Sequence, residues 1–381
     1  MRFNHLKSLW ISVALLGVLL AVGFSLSQRK LLWNDELFTQ HAVIETHSYR
    51  DILTSQTPDG NKNPLFYIIQ KSICDIFSFH LPASCLKDFK MDYSRTRDIP
   101  SQTILRIPSN LYMSVGLALI FYFFIRFYSL GAALFALSVA LSVPLVWMNW
   151  VEARPYSLWF LLTTMQLLLF YTPVIHPEIK TTRKLFVVHI FLALTTPASM
   201  MQIFVIFVLL WWRAKKIQWS VMLTGILPLA IAVLYFILVP VFKTKTYLFF
   251  PNLFDGVMPE HLFIYVIYAL TAWLLPKQYK KCNNLLFLIV FLLFLGCAMF
   301  MLFVDIFTRN SQFGFFSRYL IFLTPADILM FSLASFDLRQ WSRPNPWLCL
   351  NVSIVLGGLV IVRGLMTYRV ILAAATYLHS P

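Results

Sequence analysis

The stretch Leu9–Leu26, LWISVALLGVLLAVGFSL, decides the fold class of this chain. It carries no charge and comes close to the ~20 residues that a helix needs to cross a bilayer. The basic residues Arg2 and Lys7 precede it, as they would in a signal peptide. However, its length and the lack of a small-x-small cleavage pattern before Arg29 favour a retained membrane anchor.

Similar apolar runs recur along all 381 residues, of which 59% are hydrophobic and only 12% charged. Backbone groups in hydrocarbon must be hydrogen-bonded within their own segment, so these runs predict helices. We therefore predict an all-α polytopic membrane protein with about 11 transmembrane helices. Residues 1–381 form a single integral membrane domain, with no soluble C-terminal domain. The predicted spans are 9–27, 108–125, 131–149, 156–175, 185–195, 198–212, 219–241, 261–276, 284–304, 319–336 and 347–362.

The distribution of basic residues predicts how the chain sits in the membrane. One alternating set of short loops, together with the N-terminus, holds 14 of the 31 Lys and Arg residues. The positive-inside rule places that set, and hence the N-terminus, in the cytoplasm. The same rule accounts for the net charge of +15, so we expect no nucleic-acid partner. The predicted location is the cytoplasmic (inner) membrane, with residues 28–107 forming a large periplasmic or external loop.

One apolar stretch, residues 185–212, is long for one span and contains Thr195-Thr196-Pro197-Ala198-Ser199 at its middle. Basic clusters flank both of its ends, so the chain should cross the membrane an even number of times. Two short helices that turn at Pro197 satisfy this condition. A single tilted and kinked helix is the alternative.

The long loop begins with an acidic pair, Asp35 and Glu36, just beyond the first span. Ionised carboxylates are costly beside lipid, so such a pair indicates a water-filled site. A turn follows at Thr57-Pro58-Asp59-Gly60-Asn61, and an amphipathic run from Lys62 to about Phe79 predicts helices in the plane of the interface. The loop returns to the membrane through Leu105-Arg106-Ile107-Pro108-Ser109.

Several cations and phenols are predicted on the side that holds the acidic pair. Arginine binds phosphate through paired N–H groups, and lysine supplies a point charge. An acidic residue opposite such a clamp could take a proton from an attacking hydroxyl. The predicted phosphate-binding residues are Lys62, Arg154, Tyr156, Arg318 and Tyr319, with Arg106 and Glu152 in supporting roles.

Five short motifs of the chain, taken in their order, resemble those of the membrane glycosyltransferases of the GT-C class. The resemblance is to the bacterial branch related to protein O-mannosyltransferases and the lipid A aminoarabinose transferase. It is carried by Asp35-Glu36, Lys62-Asn63-Pro64-Leu65, Leu105-Arg106-Ile107-Pro108-Ser109, Glu152-Ala153-Arg154-Pro155-Tyr156 and Ser317-Arg318-Tyr319-Leu320-Ile321.

The resemblance implies a polyprenyl-phosphate sugar donor and inversion at the anomeric carbon. The acceptor would be a hydroxyl of a glycan, a lipid or a protein. It also implies that Asp35 acts as the base or acceptor ligand, with Glu36 as its catalytic partner. Lys62, Arg154 and Arg318 would hold the donor phosphate.

Other residues leave alternatives open. Cys74 and Cys85 share the long loop and form either a disulfide or two free thiols. The sequence shows no metal-ligand spacing, although a divalent metal cofactor remains an option. Asp327 lies inside a predicted span, where we expect a neutral or hydrogen-bonded structural role.

Two further function classes compete with a transferase. A transporter or lipid flippase would place charged groups at the membrane midplane and break helices. Asp327 and the break within 185–212 point that way, but no internal repeat is evident. A non-catalytic member of an envelope-assembly complex would not need the acidic pair.

Overall fold

A computed structural model describes residues 4–59, 61, 63–82, 97–214, 218–238, 290, 293, 296 and 321–376. These residues form helices and connecting turns, with no strand among them. Four of their helices are long and apolar enough to cross a membrane, or five if one bent pair counts as a single span. The described part of the chain is thus all-helical and has the long apolar helices of a membrane protein. The total of about eleven spans stays a prediction, because span 261–276 and most of span 284–304 lie outside the described residues.

The helices are numbered here in chain order. The acidic pair lies in a short helix after the first span, and a π-helical turn, Gln40–Glu45, follows it. The helices are α1 His5–Arg29, α2 Asn34–Thr39, α3 Tyr49–Leu53, α4 Leu65–Ile76, α5 Ile99–Phe127, α6 Leu130–Leu141, α7 Pro144–Trp150, α8 Tyr156–Ile175, α9 Thr182–Ala193, α10 Ser199–Ala214, α11 Trp219–Leu238, α12 Leu323–Ser342 and α13 Pro346–Thr376.

Helix α5 begins nine residues before the predicted span 108–125, so it includes the last part of the predicted loop. Asp98 caps the helix by accepting a hydrogen bond from the backbone N–H of Ser101 at 3.1 Å, and Pro100 lies in the first turn. Both are favourable at a helix start. Pro108, taken from the sequence as a boundary, lies inside the helix. Arg106 therefore lies on the same helix as the predicted span 108–125.

The predicted span 131–149 is two helices, α6 and α7, which meet at an angle of 75°. Val143 has an extended backbone (φ −92°, ψ 120°) and precedes Pro144. A residue before proline avoids the helical region, which explains the break. At the other end of the chain, α13 extends well beyond the predicted limit of 362, so Arg363 lies within a helix instead of a tail.

The stretch 185–212 forms two helices, α9 and α10, with the break between Ala193 and Ser199. Residues of the long loop donate hydrogen bonds to the backbone carbonyls that this break leaves without partners in a helix. Asn63 Nδ2 donates to the carbonyl of Ala193 at 2.6 Å, and Leu65 N donates to the carbonyl of Leu194 at 2.9 Å. The turn between these short helices thus lies at the same end of the bundle as the loop.

Helix α1 packs closely on α5. A side chain at Gly23 would place its Cβ 1.9 Å from Asn110 Oδ1, so only glycine permits this approach. Asn110 Nδ2 donates to the carbonyl of Leu20 at 3.1 Å and Trp150 Nε1 donates to Asn110 Oδ1 at 3.1 Å. Asn110 therefore joins α1, α5 and α7 inside the bundle.

Contacts from distant parts of the chain converge on one end of the bundle, which we call the acid end because Asp35 and Glu36 lie there. Lys30 Nζ donates to the carbonyl of Met148 at 3.3 Å, and Tyr235 OH donates to the carbonyl of Leu53 at 3.1 Å. The acid end thus combines residues 30–82 with the α7–α8 connection, the α9–α10 turn and the end of α11.

Candidate functional site

Asp35 and Glu36 occupy the first turn of α2, immediately after the chain leaves α1. Successive residues on a helix point about 100° apart, so the two carboxylates have different surroundings. Glu36 is 1% exposed, whereas Asp35 is half-buried. The two side chains therefore have separate roles.

Glu36 forms a buried ion pair with Arg106 of α5. Arg106 Nε donates to Glu36 Oε1 at 2.8 Å and Nη2 donates to Oε2 at 2.6 Å, a bidentate arrangement. The other three N–H groups of Arg106 donate to the carbonyls of Ser27, Lys30 and Leu31. The last carbonyls of a helix have no partner within it, and Arg106 satisfies those at the end of α1. All five of its donors are thus used within the chain.

The same carboxylate reaches the α7–α8 connection. Glu36 Oε1 accepts a hydrogen bond from the backbone N–H of Ala153 at 2.8 Å. Burial alone would raise the pKa of Glu36, but the charge and hydrogen bonds of Arg106, helped by this N–H, hold that pKa below its usual value. Glu36 therefore stays ionised and joins α2, α5 and the segment that carries Arg154.

A second buried ion pair lies close by and joins Asp59 to Arg154. Asp59 Oδ2 accepts from Arg154 Nη1 at 3.0 Å, from Tyr67 OH at 3.0 Å and from Thr39 Oγ1 at 3.1 Å. Asp59 Oδ1 accepts from the backbone N–H of Asn61 at 3.2 Å. Burial raises the pKa of Asp59, but the Arg154 charge and these hydrogen bonds outweigh it, so the pKa is lowered.

Arg154 is ion-paired with Asp59, and further groups influence its pKa. Burial lowers its pKa, but the charge of Asp59 raises it, the phenols of Tyr156 and Tyr67 and the charge of Asp35 add to that effect, and the net pKa is well above its usual value. Asp35 directly precedes Glu36, whose carboxylate accepts from the backbone N–H next to Arg154, so Asp35 lies in the same part of the acid end. Arg154 Nε is buried and has no hydrogen-bond partner. The guanidinium is therefore permanently charged, and its Nε–H is an unused donor within the described part of the chain.

The structure brings most of the predicted site residues together at the acid end. Glu36 contacts Arg106 and the backbone next to Arg154, and Asp35 directly precedes Glu36. Buried Tyr156 and Glu152 flank Arg154 in the chain. Lys62, Arg318 and Tyr319 lie outside the described residues.

Three residues of the site were missed in the sequence: Thr39, Asp59 and Tyr67. Asp59 was interpreted only as a turn residue. The one feature of the sequence that could have indicated its role is its position between the acidic pair and a predicted phosphate-binding lysine. Thr39 and Tyr67 gave no distinct signal, because each lies in a stretch that also predicts ordinary helix packing.

The remaining predictions concern metals and cysteines. No group of three or more His, Cys, Asp or Glu residues within the described ranges could hold a metal ion. Cys74 is a buried thiol whose Sγ lies 3.6 Å from Gln40 Oε1, and burial raises its pKa to about 11. Its predicted disulfide partner, Cys85, lies outside the described residues.

The arrangement can hold an anion and move a proton. Arg154 supplies a fixed positive charge and a free N–H, and half-buried Asp35 supplies a carboxylate within electrostatic range. In comparisons with known proteins, no family model matches the chain, and no curated protein matches it.

Proposed function

We propose that the chain is a glycosyltransferase of the cytoplasmic (inner) membrane, with its active site facing the periplasm or exterior. It transfers a sugar from a polyprenyl-phosphate donor to a hydroxyl of a glycan, lipid or protein acceptor, with inversion. This proposal rests on the resemblance of its motifs to the GT-C class and on the chemistry of the acid end. A divalent metal cofactor remains an option.

The observation that carries the proposal is that the short helix carrying Asp35 is tied to the chain segment carrying Arg154. Glu36 ties α2 both to Arg106 and to the backbone N–H of Ala153, the residue before Arg154. Because Asp35 precedes Glu36 on the same short helix, this tie fixes its position relative to Arg154. Positioning a base against a phosphate clamp is what an attack on a phosphate-linked sugar requires.

In this proposal, Asp35 accepts the proton of the acceptor hydroxyl as that oxygen bonds to the anomeric carbon. The bond between the anomeric carbon and the phosphate oxygen breaks, and the electron pair leaves with the polyprenyl phosphate. Arg154 and Tyr156 stabilise the charge on the leaving phosphate, together with Lys62, Arg318 and Tyr319. Glu36 and Arg106 are positioning residues.

The test is transfer from defined undecaprenyl-phosphate sugars in membranes, with mass analysis of the product. Asp35→Asn keeps the size of the side chain but cannot accept the proton, so we expect a loss of about 10²–10⁴-fold in rate. Asp75→Asn is the matched control, since Asp75 is an exposed carboxylate of the same loop that accepts a hydrogen bond from Tyr49. It should retain full activity.

Retained activity in Asp35→Asn would remove Asp35 as the base. Failure of every defined sugar donor with the unaltered protein, under conditions where it is folded, would argue against the transferase itself.

A second candidate, a transporter or flippase, is favoured by one observation. Asp327 and Arg363, both buried within helices α12 and α13, form an ion pair with Arg363 Nη2 2.9 Å from Asp327 Oδ2. Buried ionisable groups in membrane helices often mark transport pathways. Movement of a lipid-linked sugar across vesicles without any transferred product, abolished by Asp327→Asn, would support this function instead.

A further inference from the structure

A cavity of about 650 Å³ lies between α6, α12 and α13, at the opposite end of the bundle from the acidic pair. Helix α5 runs from the acid end to Phe127, and the cavity begins at the residues that follow, Tyr128 and Ser129. Its rim also includes Arg339 and Arg343 at the end of α12. We call this end the basic end; by the positive-inside rule it is expected to face the cytoplasm.

The rim of the cavity carries the positive charge of two arginines. Arg339 and Arg343 are both exposed, and the described residues that line the cavity include no Asp or Glu. Gln340 and Ser129 add polar groups beside them. Two arginines at one mouth can hold a phosphate through paired N–H groups.

The inner wall contains two hydroxyls that have no protein partner. Ser332 Oγ and Ser335 Oγ are buried and make no hydrogen bond. Their side chains are 2% and 5% exposed, and both residues line the cavity. Because a buried polar group without a partner is costly, these hydroxyls indicate that a polar ligand or water belongs between α12 and the opposite wall.

The rest of the wall is apolar and open. Phe135 and Leu356 line it, and a Cβ added at Gly357 would meet no atom within 4 Å. Gly357 lies eight residues along α13 from Cys349 at the rim, a depth of roughly 12 Å at the rise of an α-helix. The cavity thus has a basic mouth and an interior that is largely apolar apart from serine hydroxyls, which suits an anionic lipid.

We propose that this cavity binds the phosphate of an anionic lipid headgroup, with Arg339 and Arg343 on the phosphate and the acyl chains against α6 and α13. Basic pockets between transmembrane helices bind such headgroups in other membrane proteins. The chemistry that is recognised is a phosphate, and a free phosphate ion would use the same arginines. The proposal is independent of the transferase reaction at the acid end.

The test is a titration of the full-length protein in detergent, followed by native mass spectrometry. The probes are phosphatidic acid, phosphatidylcholine with the same acyl chains, and inorganic phosphate. We expect the double variant Arg339→Gln, Arg343→Gln to bind phosphatidic acid about tenfold or more weakly, because two charge-assisted contacts are lost. Arg183→Gln is the matched control, since Arg183 is an exposed arginine at the same end that does not line the cavity.

A second variant tests the cavity without changing any charge. Gly357→Leu puts a side chain into open space, and leucine is a better helix former than glycine, so the protein should fold. We expect it to weaken phosphatidic acid binding while leaving both arginines in place.

The outcomes separate clearly. Binding of phosphatidic acid but not inorganic phosphate, lost in the double variant, supports a lipid site; arginine-dependent binding of both probes supports the phosphate site with a soluble source. Equal binding of phosphatidylcholine, or an equal loss in Arg183→Gln, would overturn the proposal, because the arginines would then act only as general surface charge.

Discussion

The acid end contains two buried ion pairs that differ in how completely their arginines are used. In the Glu36–Arg106 pair, all five N–H donors of the guanidinium find acceptors within the chain. In the Asp59–Arg154 pair, Nη1 of the guanidinium donates to both Asp59 and Thr39, whereas Nε is buried with no partner among the described residues. A satisfied arginine holds structure together, whereas one with an unused buried donor is suited to receive a ligand oxygen.

The two pairs are also connected, which explains why a site needs both. The Glu36 carboxylate accepts a hydrogen bond from the backbone N–H of Ala153, and Arg154 is the next residue in the chain. The first pair therefore sets the position of the second. Positioning groups of this kind are most useful when they are rigid, and a buried bidentate pair is among the most rigid that side chains offer.

The largest expected effect comes from breaking the satisfied pair. Arg106→Met leaves the Glu36 carboxylate buried without its partner and exposes the carbonyls at the end of α1, which should lower the free energy of unfolding by about 3–5 kcal/mol. The measurement is thermal unfolding of the protein in detergent. The double variant with Glu36→Gln is the control, and it should recover part of the loss because no unpaired charge remains. A single variant as stable as the unaltered protein would show that the pair is not an anchor.

A smaller effect is expected from the second pair. Asp59→Asn removes the charge opposite Arg154 but keeps one oxygen for Tyr67 and Thr39, so the free energy of unfolding should fall by about 1–3 kcal/mol. With the acid gone, the charge of Arg154 is less neutralised. The free energy of binding a phosphate-bearing donor should therefore change by more than the free energy of unfolding does. Donor titration by native mass spectrometry and thermal unfolding together decide this. If Asp59→Asn lowers stability as much as Arg106→Met does and leaves donor binding unchanged, then both ion pairs serve only to hold the structure together.

The sequence predicted helices well where apolar runs have clear limits. The span 156–175 is observed as Tyr156–Ile175, because Pro155 precedes it and polar residues follow it. The helix limits differ from the predicted span at α5, where the capping residue Asp98 was overlooked. They also differ at α6 and α7, where Pro144 breaks a continuous apolar run. Local signals for both were present in the chain.

The ion pairs could not be predicted in the same way. Glu36 and Arg106 are 70 positions apart, and Asp59 and Arg154 are 95 apart. With 16 acidic and 31 basic residues in the chain, no local pattern singles out these partners. The sequence could place Asp35, Glu36, Arg106 and Arg154 on one side of a membrane, but only packing determines which arginine each acid binds.

The smallest effect tests whether the hydrogen bonds around Asp59 hold the second pair in place. Tyr67→Phe removes one hydroxyl that donates to Asp59 Oδ2 and leaves the ring packed, so it should cost about 0.5–1.5 kcal/mol of stability. Tyr49→Phe is the control, because its hydroxyl donates to Asp75 at the exposed surface of the same loop and its loss should cost less. Both variants can be measured by thermal unfolding under identical conditions. If Tyr67→Phe also weakens donor binding while Tyr49→Phe does not, the orientation of Arg154 depends on the full set of bonds to Asp59. If the two variants behave alike, the ion pair alone holds Arg154, and Tyr67 contributes only its packing.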